Sequence, residues 1–220
     1  MNYTVIVPAY NASATLAEAI DSILNQTVSA TKIIVTDDGS TDGTSRIAES
    51  YGGIVSVHSQ SNQGPGAAMT RGMEMVKTEF IAAIDADDVW LPHKMATQLD
   101  FLAANPGCAG VFGHMRLFGE MVVVSRLQES WGRSVMTIRR EVFLEIGEVV
   151  DPPGMRGEMI DWIARAREAG FLMKMLPEVL ALRRVLRGSL SDGRDAVNDS
   201  GYLHIARAAL LRRRALQSKV

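Results

Sequence analysis

Phe80-Ile81-Ala82-Ala83-Ile84-Asp85-Ala86-Asp87-Asp88 runs from an apolar segment straight into a cluster of carboxylates. The apolar part reads as a buried strand. Carboxylates crowded at the end of such a strand repel one another. A divalent cation removes the repulsion and brings a bound diphosphate beside it. Asp85 and Asp87 are two apart, so an extended chain sends both side chains to the same face. The run therefore reads as a metal–phosphate site, provided the rest of the chain supplies a nucleotide pocket.

Upstream, strand-like and helix-like segments alternate. Val5-Ile6-Val7 is a short β run ended by Pro8. Leu16, Ala19, Ile20, Ile23 and Leu24 recur at helical spacing and predict a helix over 14–24. Residues 32–36 are rich in β-branched side chains and predict a strand, closed by Asp37-Asp38-Gly39-Ser40. Thr41 or Asp42 can cap the helix that follows to Tyr51. Residues 54–58 predict a third strand, Gly64-Pro65-Gly66 opens a helix to about Val76, and 80–84 is the fourth strand. Pro92 starts another helix, which ends before Asn105-Pro106-Gly107. Strands alternating with helices through short polar loops predict an α/β fold with a mostly parallel central sheet.

The second half is less regular. Residues 110–116, 121–124 and 134–139 predict strands, and 141–146 a short helix. Val149-Val150-Asp151-Pro152-Pro153-Gly154 reads as a loop, and 156–169 as a helix stopped by Gly170. Two short strands are expected at 171–175 and 178–184, a polar loop at 188–200 and a closing helix at 201–217. The chain is expected to divide into a first half with the candidate nucleotide–phosphate site (1–115), a second half of the same domain (116–190), and a terminal loop and helix (191–220).

Composition narrows the class. The 220 residues are 47% hydrophobic and 22% charged, which suits one globular domain. A net charge of −2 gives no bias toward nucleic acid. Cys108 is the single cysteine, so no intrachain disulfide forms and a reducing compartment is expected. Met1-Asn2-Tyr3-Thr4 lacks the basic start of a signal peptide. No apolar stretch is long enough to span a bilayer. A cytoplasmic location is expected, with contact at the inner membrane face left open. Arg207, Arg212, Arg213, Arg214 and Lys219 in the closing segment could bind acidic headgroups, line a dimer contact, or form a solvated face.

In open α/β sheets ligands collect at the carboxyl ends of the strands. Pro8-Ala9-Tyr10-Asn11, Asp37-Asp38-Gly39-Ser40 and Asp85-Ala86-Asp87-Asp88 all fall on that edge. Tyr10 offers a flat face for a base, and Asp38, or Asp37, an acceptor for its N–H groups. Each also has a plain structural reading, as a packed aromatic or an Asp-Gly turn. The four histidines, His58, His93, His114 and His204, show no ligand spacing.

Together with Ser22-Ile23-Leu24-Asn25-Gln26-Thr27, Asn62-Gln63-Gly64 and Val89-Trp90-Leu91-Pro92-His93-Lys94, these segments resemble the family 2 glycosyltransferases of the GT-A fold. The resemblance covers the first hundred residues, and the order and spacing of the pieces carry it. It implies a Rossmann-like sheet flanked by helices, with a smaller irregular acceptor side and a C-terminal helix. It also implies a nucleotide diphosphate sugar donor, Mg²⁺ or Mn²⁺, and inversion at the anomeric carbon. Donor binding then falls to Pro8, Ala9, Tyr10, Asp38, Asp85, Ala86 and Asp87, with Asp87 and Asp85 at the metal. Family members often carry Gly-Glu-Asp in the second half, with a carboxylate there as general base. Here Gly157-Glu158-Met159-Ile160-Asp161-Trp162 places Met159 where the Asp would stand. Glu158 and Asp161 are three apart on the predicted helix, and both are candidate catalytic bases; Asp161 can also pair with Arg165. Met69 and Leu186 likewise replace the Arg and His of many relatives, and Arg184 or Arg187 is expected to supply charge instead. The acceptor, whether a glycan, a lipid-linked or a small molecule, is not specified. A homodimer and a non-catalytic nucleotide-sugar-binding homologue stay open. A sugar nucleotidyltransferase or a dehydrogenase is disfavoured, because no Gly-rich loop follows the first strand.

Overall fold

The computed structural model describes residues 1–120, 122, 125–155, 157–186 and 196–217. Four strands, β1 (Tyr3–Ala9), β2 (Lys32–Asp37), β3 (Val55–Ser59) and β4 (Phe80–Ala83), pair in parallel in the order β3-β2-β1-β4. Their side chains alternate between two apolar layers. Val5, Val7, Ile33 and Val35 enter one, with Leu16, Ala19, Ile20 and Ile23 of α1 (Leu16–Leu24). Ile6 and Ile34 enter the other, with Met69 and Met73 of α3 (Pro65–Glu74). A sheet covered on both faces is what a parallel α/β architecture requires.

Local chemistry sets the helix ends. α1 begins at Leu16 rather than 14, because Thr15 N and Leu16 N both donate to Ala12 O and hold a turn there. α2 (Thr44–Tyr51) has Gly43 at its N-cap, in the left-handed region at φ 95°. Asp42, one residue earlier, accepts from Thr44 N at 3.0 Å and does the expected capping. α4 (Lys94–Ala104) follows Pro92 as predicted.

The second half departs further from expectation. The sheet continues as β4-β8-β6-β9-β5, with β7 paired to β6. Here β5 is Val89–Trp90, β6 Cys108–Phe118, β7 Leu127–Ser130, β8 Thr137–Arg139 and β9 Leu172–Arg184. β8 runs antiparallel to β4 and β6, and β6 runs parallel to β9. The strand predicted over 134–139 is shortened, since Arg133–Val135 forms a 3₁₀ turn. Ser134 is drawn out of extended geometry by hydrogen bonds to the Asp85–Asp88 run. The two strands predicted at 171–175 and 178–184 are one. Pro177 lacks a ladder N–H, and the β6–β9 register slips around it, between Phe112↔Met175 and His114↔Val179. β5 and β7 escape prediction because they are two and four residues long.

Three helices complete the fold: α5 (Arg140–Ile146), α6 (Glu158–Glu168) and α7 (Ala196–Gln217). α7 begins at Ala196, inside the segment read as loop. The strand expected at 121–124 and the loop before Ala196 fall largely outside the described residues. No described helix is long and apolar enough to cross a membrane.

Candidate active site

The parallel register aligns Ala9 with Asp37 and so sets the first two loops side by side. Asp38 N donates to Ala9 O at 2.8 Å. Asn11, at φ 47°, donates its N–H to Ser40 Oγ at 2.9 Å and accepts from Thr41 N at 2.9 Å. Ala12 N donates to Thr44 Oγ1 and Ser13 N to Asp42 Oδ2. These bonds fix the loop that carries Tyr10, yet Tyr10 itself is 54% exposed. Pro8 and Ala9 are buried beneath it.

The adjacent aspartates divide their work. Asp37 accepts from Ser40 N and from Ser45 Oγ, so it shapes the turn. Asp38 is buried and accepts from Gln60 Nε2 (2.8 Å), Gln63 N (2.9 Å) and Gly64 N (2.8 Å). A carboxylate has about four acceptor positions, so about one remains on Asp38 for a base.

Asp85-Ala86-Asp87-Asp88 turns tightly, with Asp88 N donating to Asp85 O at 3.1 Å. Ser134 organises it. Its Oγ accepts from Asp85 N at 3.0 Å and donates to Asp88 Oδ2 at 2.5 Å, while its carbonyl accepts from Trp90 Nε1 at 2.7 Å. Arg184, ending β9, donates its backbone N–H to Asp88 Oδ1 and its Nε to Asp87 O, both at 3.0 Å. Asp88 is thereby a buried structural anchor. Burial, then Asp85 and Asp87, hold its carboxyl well above the usual carboxylate range. Asp87 differs: its side chain takes no donor from another described residue. Burial, and after it the Asp85 carboxylate, push Asp87 up to about 6.

Glu158 and Asp161 face different neighbours. Glu158 Oε1 lies 3.4 Å from Arg133 Nη2, and Arg133 Nε donates to Asp85 Oδ1 at 2.5 Å. Burial works against the Arg133 charge, but Asp85 and Glu158 more than restore it. The structure thus brings Glu158 to the Asp85 cluster. Asp161 pairs with Arg165 Nε at 3.0 Å, as expected, and also with Arg212 Nη1 of α7 at 2.9 Å. These two arginines hold Asp161 on the α7 side of α6. There it lines a cavity of about 480 Å³ together with Asp151, Arg165, His204 and Arg212.

Other sequence expectations resolve cleanly. Met159 and Met69 are buried in the apolar layer shared with Trp162, not in the site. Trp90 and Trp162 are buried, their indoles donating to Ser134 O and Gly147 O, so neither offers a sugar platform. Arg184 puts its guanidinium on the Asp87 carbonyl and on Glu18; Arg187 lies outside the described residues. Arg133, Ser134 and Asp151 were missed. Asp151 accepts from Gly66 N with both oxygens at 2.9 Å, holding the start of α3. A glycine pair at a helix start with no Ser, Thr or Asp cap of its own was the signal for a remote acceptor.

The donor set suits a metal that shares its shell with a ligand. Among the described residues no three His, Cys, Asp or Glu side chains converge. Mg²⁺ and Mn²⁺ need only one or two carboxylates when phosphate oxygens supply the rest. Asp87, with no donor from another described residue and crowded by Asp85, fits that role.

The model of glycosyl transferase family 2 matches residues 4–165. An uncharacterized glycosyltransferase of Rickettsia typhi is 38% identical over 99 residues, 45% of this chain and 31% of that protein. A putative teichuronic acid biosynthesis glycosyltransferase, TuaG of Bacillus subtilis, is 33% identical over 103 residues, 45% of this chain and 41% of that one. The chain thus spans less than half the length of these relatives. Among solved structures, S. aureus TarS 1–349 in complex with UDP-GlcNAc superposes with a TM-score of 0.78, at 18% identity over 96% of this chain and 66% of that one. The mannosyltransferase PcManGT of Pyrobaculum calidifontis, in complex with GDP-Man and Mn²⁺, gives 0.68 at 18% identity over 97% and 75%. The solved structures share the fold, and the family match, running from β1 to α6, shows the family: the chain belongs to glycosyl transferase family 2.

Proposed function

We propose that the chain transfers a sugar from a nucleotide diphosphate sugar to an acceptor hydroxyl, with inversion at the anomeric carbon. The observation that carries this reading is that exposed Tyr10, buried Asp38 and Asp87, which takes no donor from another described residue, share one sheet edge. Tyr10 stacks the base and Asp38 accepts one of its N–H groups. Asp87, with Asp85, holds Mg²⁺ or Mn²⁺, which supplies the Lewis acidity that stabilises the departing diphosphate. Glu158, rather than Asp161, takes the acceptor proton, because its carboxylate faces Arg133 and Asp85 while Asp161 is held by Arg165 and Arg212. That two neighbours of the same fold bind UDP-GlcNAc and GDP-Man supports a sugar nucleotide and leaves the base open.

Thermal-shift titrations with UDP-, GDP- and dTDP-sugars, with and without Mn²⁺, test the reading. One donor class should stabilise the chain only with metal, and Asp87→Asn should abolish both that stabilisation and transfer. Full activity in Asp87→Asn would sink the assignment. The burial of Met159, where relatives often have an acid, favours a second reading, a non-catalytic sugar-nucleotide binder. Glu158→Gln separates the two. In a transferase it keeps donor binding and loses turnover roughly a hundredfold or more. A wild-type chain that binds donor yet neither transfers nor hydrolyses it supports the binder.

A further inference from the structure

Arg133 stands between two carboxylates with different tasks in the proposed reaction. Its Nε donates to Asp85 Oδ1 at 2.5 Å, and its Nη2 lies 3.4 Å from Glu158 Oε1. The side chain is 12% exposed, and Nη1 is buried without a hydrogen-bond partner. A guanidinium stays charged and carries five N–H donors. A buried donor left unpaired is costly. Arg133 is therefore held by two acids while its Nη1 lacks an oxygen acceptor among the described residues.

Arg183 adds positive charge near Asp87, and two other candidate cations are committed or displaced. Arg184 gives its Nε to the Asp87 carbonyl and pairs with Glu18. Met69, at the place of the family's arginine, is in the core. A diphosphate entering beside Asp85 meets Arg133 as the nearby buried positive charge.

We propose that Arg133 is the internal counterion of the unloaded site. It holds Asp85 in place of the divalent cation and passes to the diphosphate when donor and metal arrive together. This rests on the donor-site reading above. Without nucleotide, the guanidinium neutralises Asp85 and repels a lone Mn²⁺. With nucleotide, the cation takes Asp85, and the freed Nε and the unpaired Nη1 gain phosphate oxygens as charge-assisted acceptors. No covalent bond changes. Metal and nucleotide consequently bind with positive coupling, and each binds poorly alone.

Calorimetric titration of wild type, Arg133→Gln and Arg133→Lys tests this, first with Mn²⁺ alone and then with UDP, GDP or dTDP in the presence of Mn²⁺. Arg133→Gln should bind Mn²⁺ alone roughly tenfold tighter and the nucleoside diphosphate roughly tenfold weaker, with Arg133→Lys between. A misfolded site loses both affinities, so changes of opposite sign belong to the counterion role. Mn²⁺ binding that is unchanged or weaker in Arg133→Gln overturns the proposal, as does nucleotide binding that is unchanged or tighter. If wild type binds none of the three nucleotides, the donor-site reading fails and the hand-over to phosphate fails with it. The titration with Mn²⁺ alone then reports separately on whether Arg133 keeps Asp85 from a cation.

Discussion

Lys94 is fully buried, and no carboxylate is among its hydrogen-bond partners. Its Nζ donates to Gln98 Oε1 at 2.7 Å and Thr137 Oγ1 at 3.2 Å, and lies 3.9 Å from the centre of the Trp90 ring. The network ties α4 to β8 just beyond Ser134, and so steadies the turn on which Asp85 and Asp88 hang. Burial holds the Lys94 ammonium well below its usual range. Between that lowered value and about 10.4, the unfolded chain binds a proton that the folded one lacks, so stability rises with pH by up to about 1.4 kcal/mol per unit. Lys94→Met lacks this slope. Urea denaturation of both proteins at pH 7, 8.5 and 10 should show the difference moving in favour of wild type as pH rises. Parallel pH profiles would show that Lys94 is charged and satisfied in the fold. At this scale the sequence was legible where chemistry is local. Asp85, Asp87 and Asp38 announce themselves by spacing, whereas Arg133 and Asp151 matter through partners dozens of residues away.

Among the elements, α3 lies unusually near the sheet. A Cβ on Gly72 would stand 2.4 Å from Ile6 Cγ2 and 3.4 Å from Thr36 Cγ2. Gly72 thus sets how closely α3 approaches β1 and β2, and with it where Gly64 and Gln63 meet Asp38. Gly72→Ala should cost about 1–3 kcal/mol through overpacking, read as a lowered urea midpoint. A β-branched or aliphatic contact this tight also transmits shift, so nucleotide affinity should fall in the same variant. Gly107→Ala, where a Cβ meets nothing within 4 Å, is the matched control. If both variants keep wild-type stability, the helix has room that the packing denies. Elements of the first half were readable because each strand and its helix are neighbours in sequence. The second half was not, since β8 inserts between β4 and β6, and β5 exists only because β9 returns beside it.

For the whole molecule, α7 joins the side of the sheet that carries Glu158 to the end of the chain. Arg212 reaches Glu168 Oε2 at 2.7 Å and Asp161 Oδ1 at 2.9 Å, and Ile205 and Tyr202 close over Gly157, the residue before Glu158. Removing Arg212 takes one cation from both mostly buried acids and leaves Asp161 to Arg165. Arg212→Ala should loosen α7 by about 1–3 kcal/mol, seen as faster limited proteolysis near the chain end. Transfer should drop while nucleotide affinity stays, because Arg212 pairs with acids of α6 and not with Tyr10, Asp38 or Asp87. Equal loss of both would mean that the two sides of the sheet fold as one unit. A terminal helix was expected from sequence, but its ion pairs with α6 were not, because that partnership depends on how the sheet curls.

Cys108 opens β6, is 2% exposed, and is the one thiol in the chain. Its Sγ sits 3.6 Å from Leu172 O, where β6 first meets β9. Those strands form the part of the sheet that runs from the side that carries Glu158 back to the aspartates. A thiol reagent therefore labels only molecules in which that seam has opened, without any engineered probe. The labelling rate of the native protein is a built-in clock for acceptor-side opening. Saturating donor and Mn²⁺ should slow it if loading one side of the sheet tightens the other.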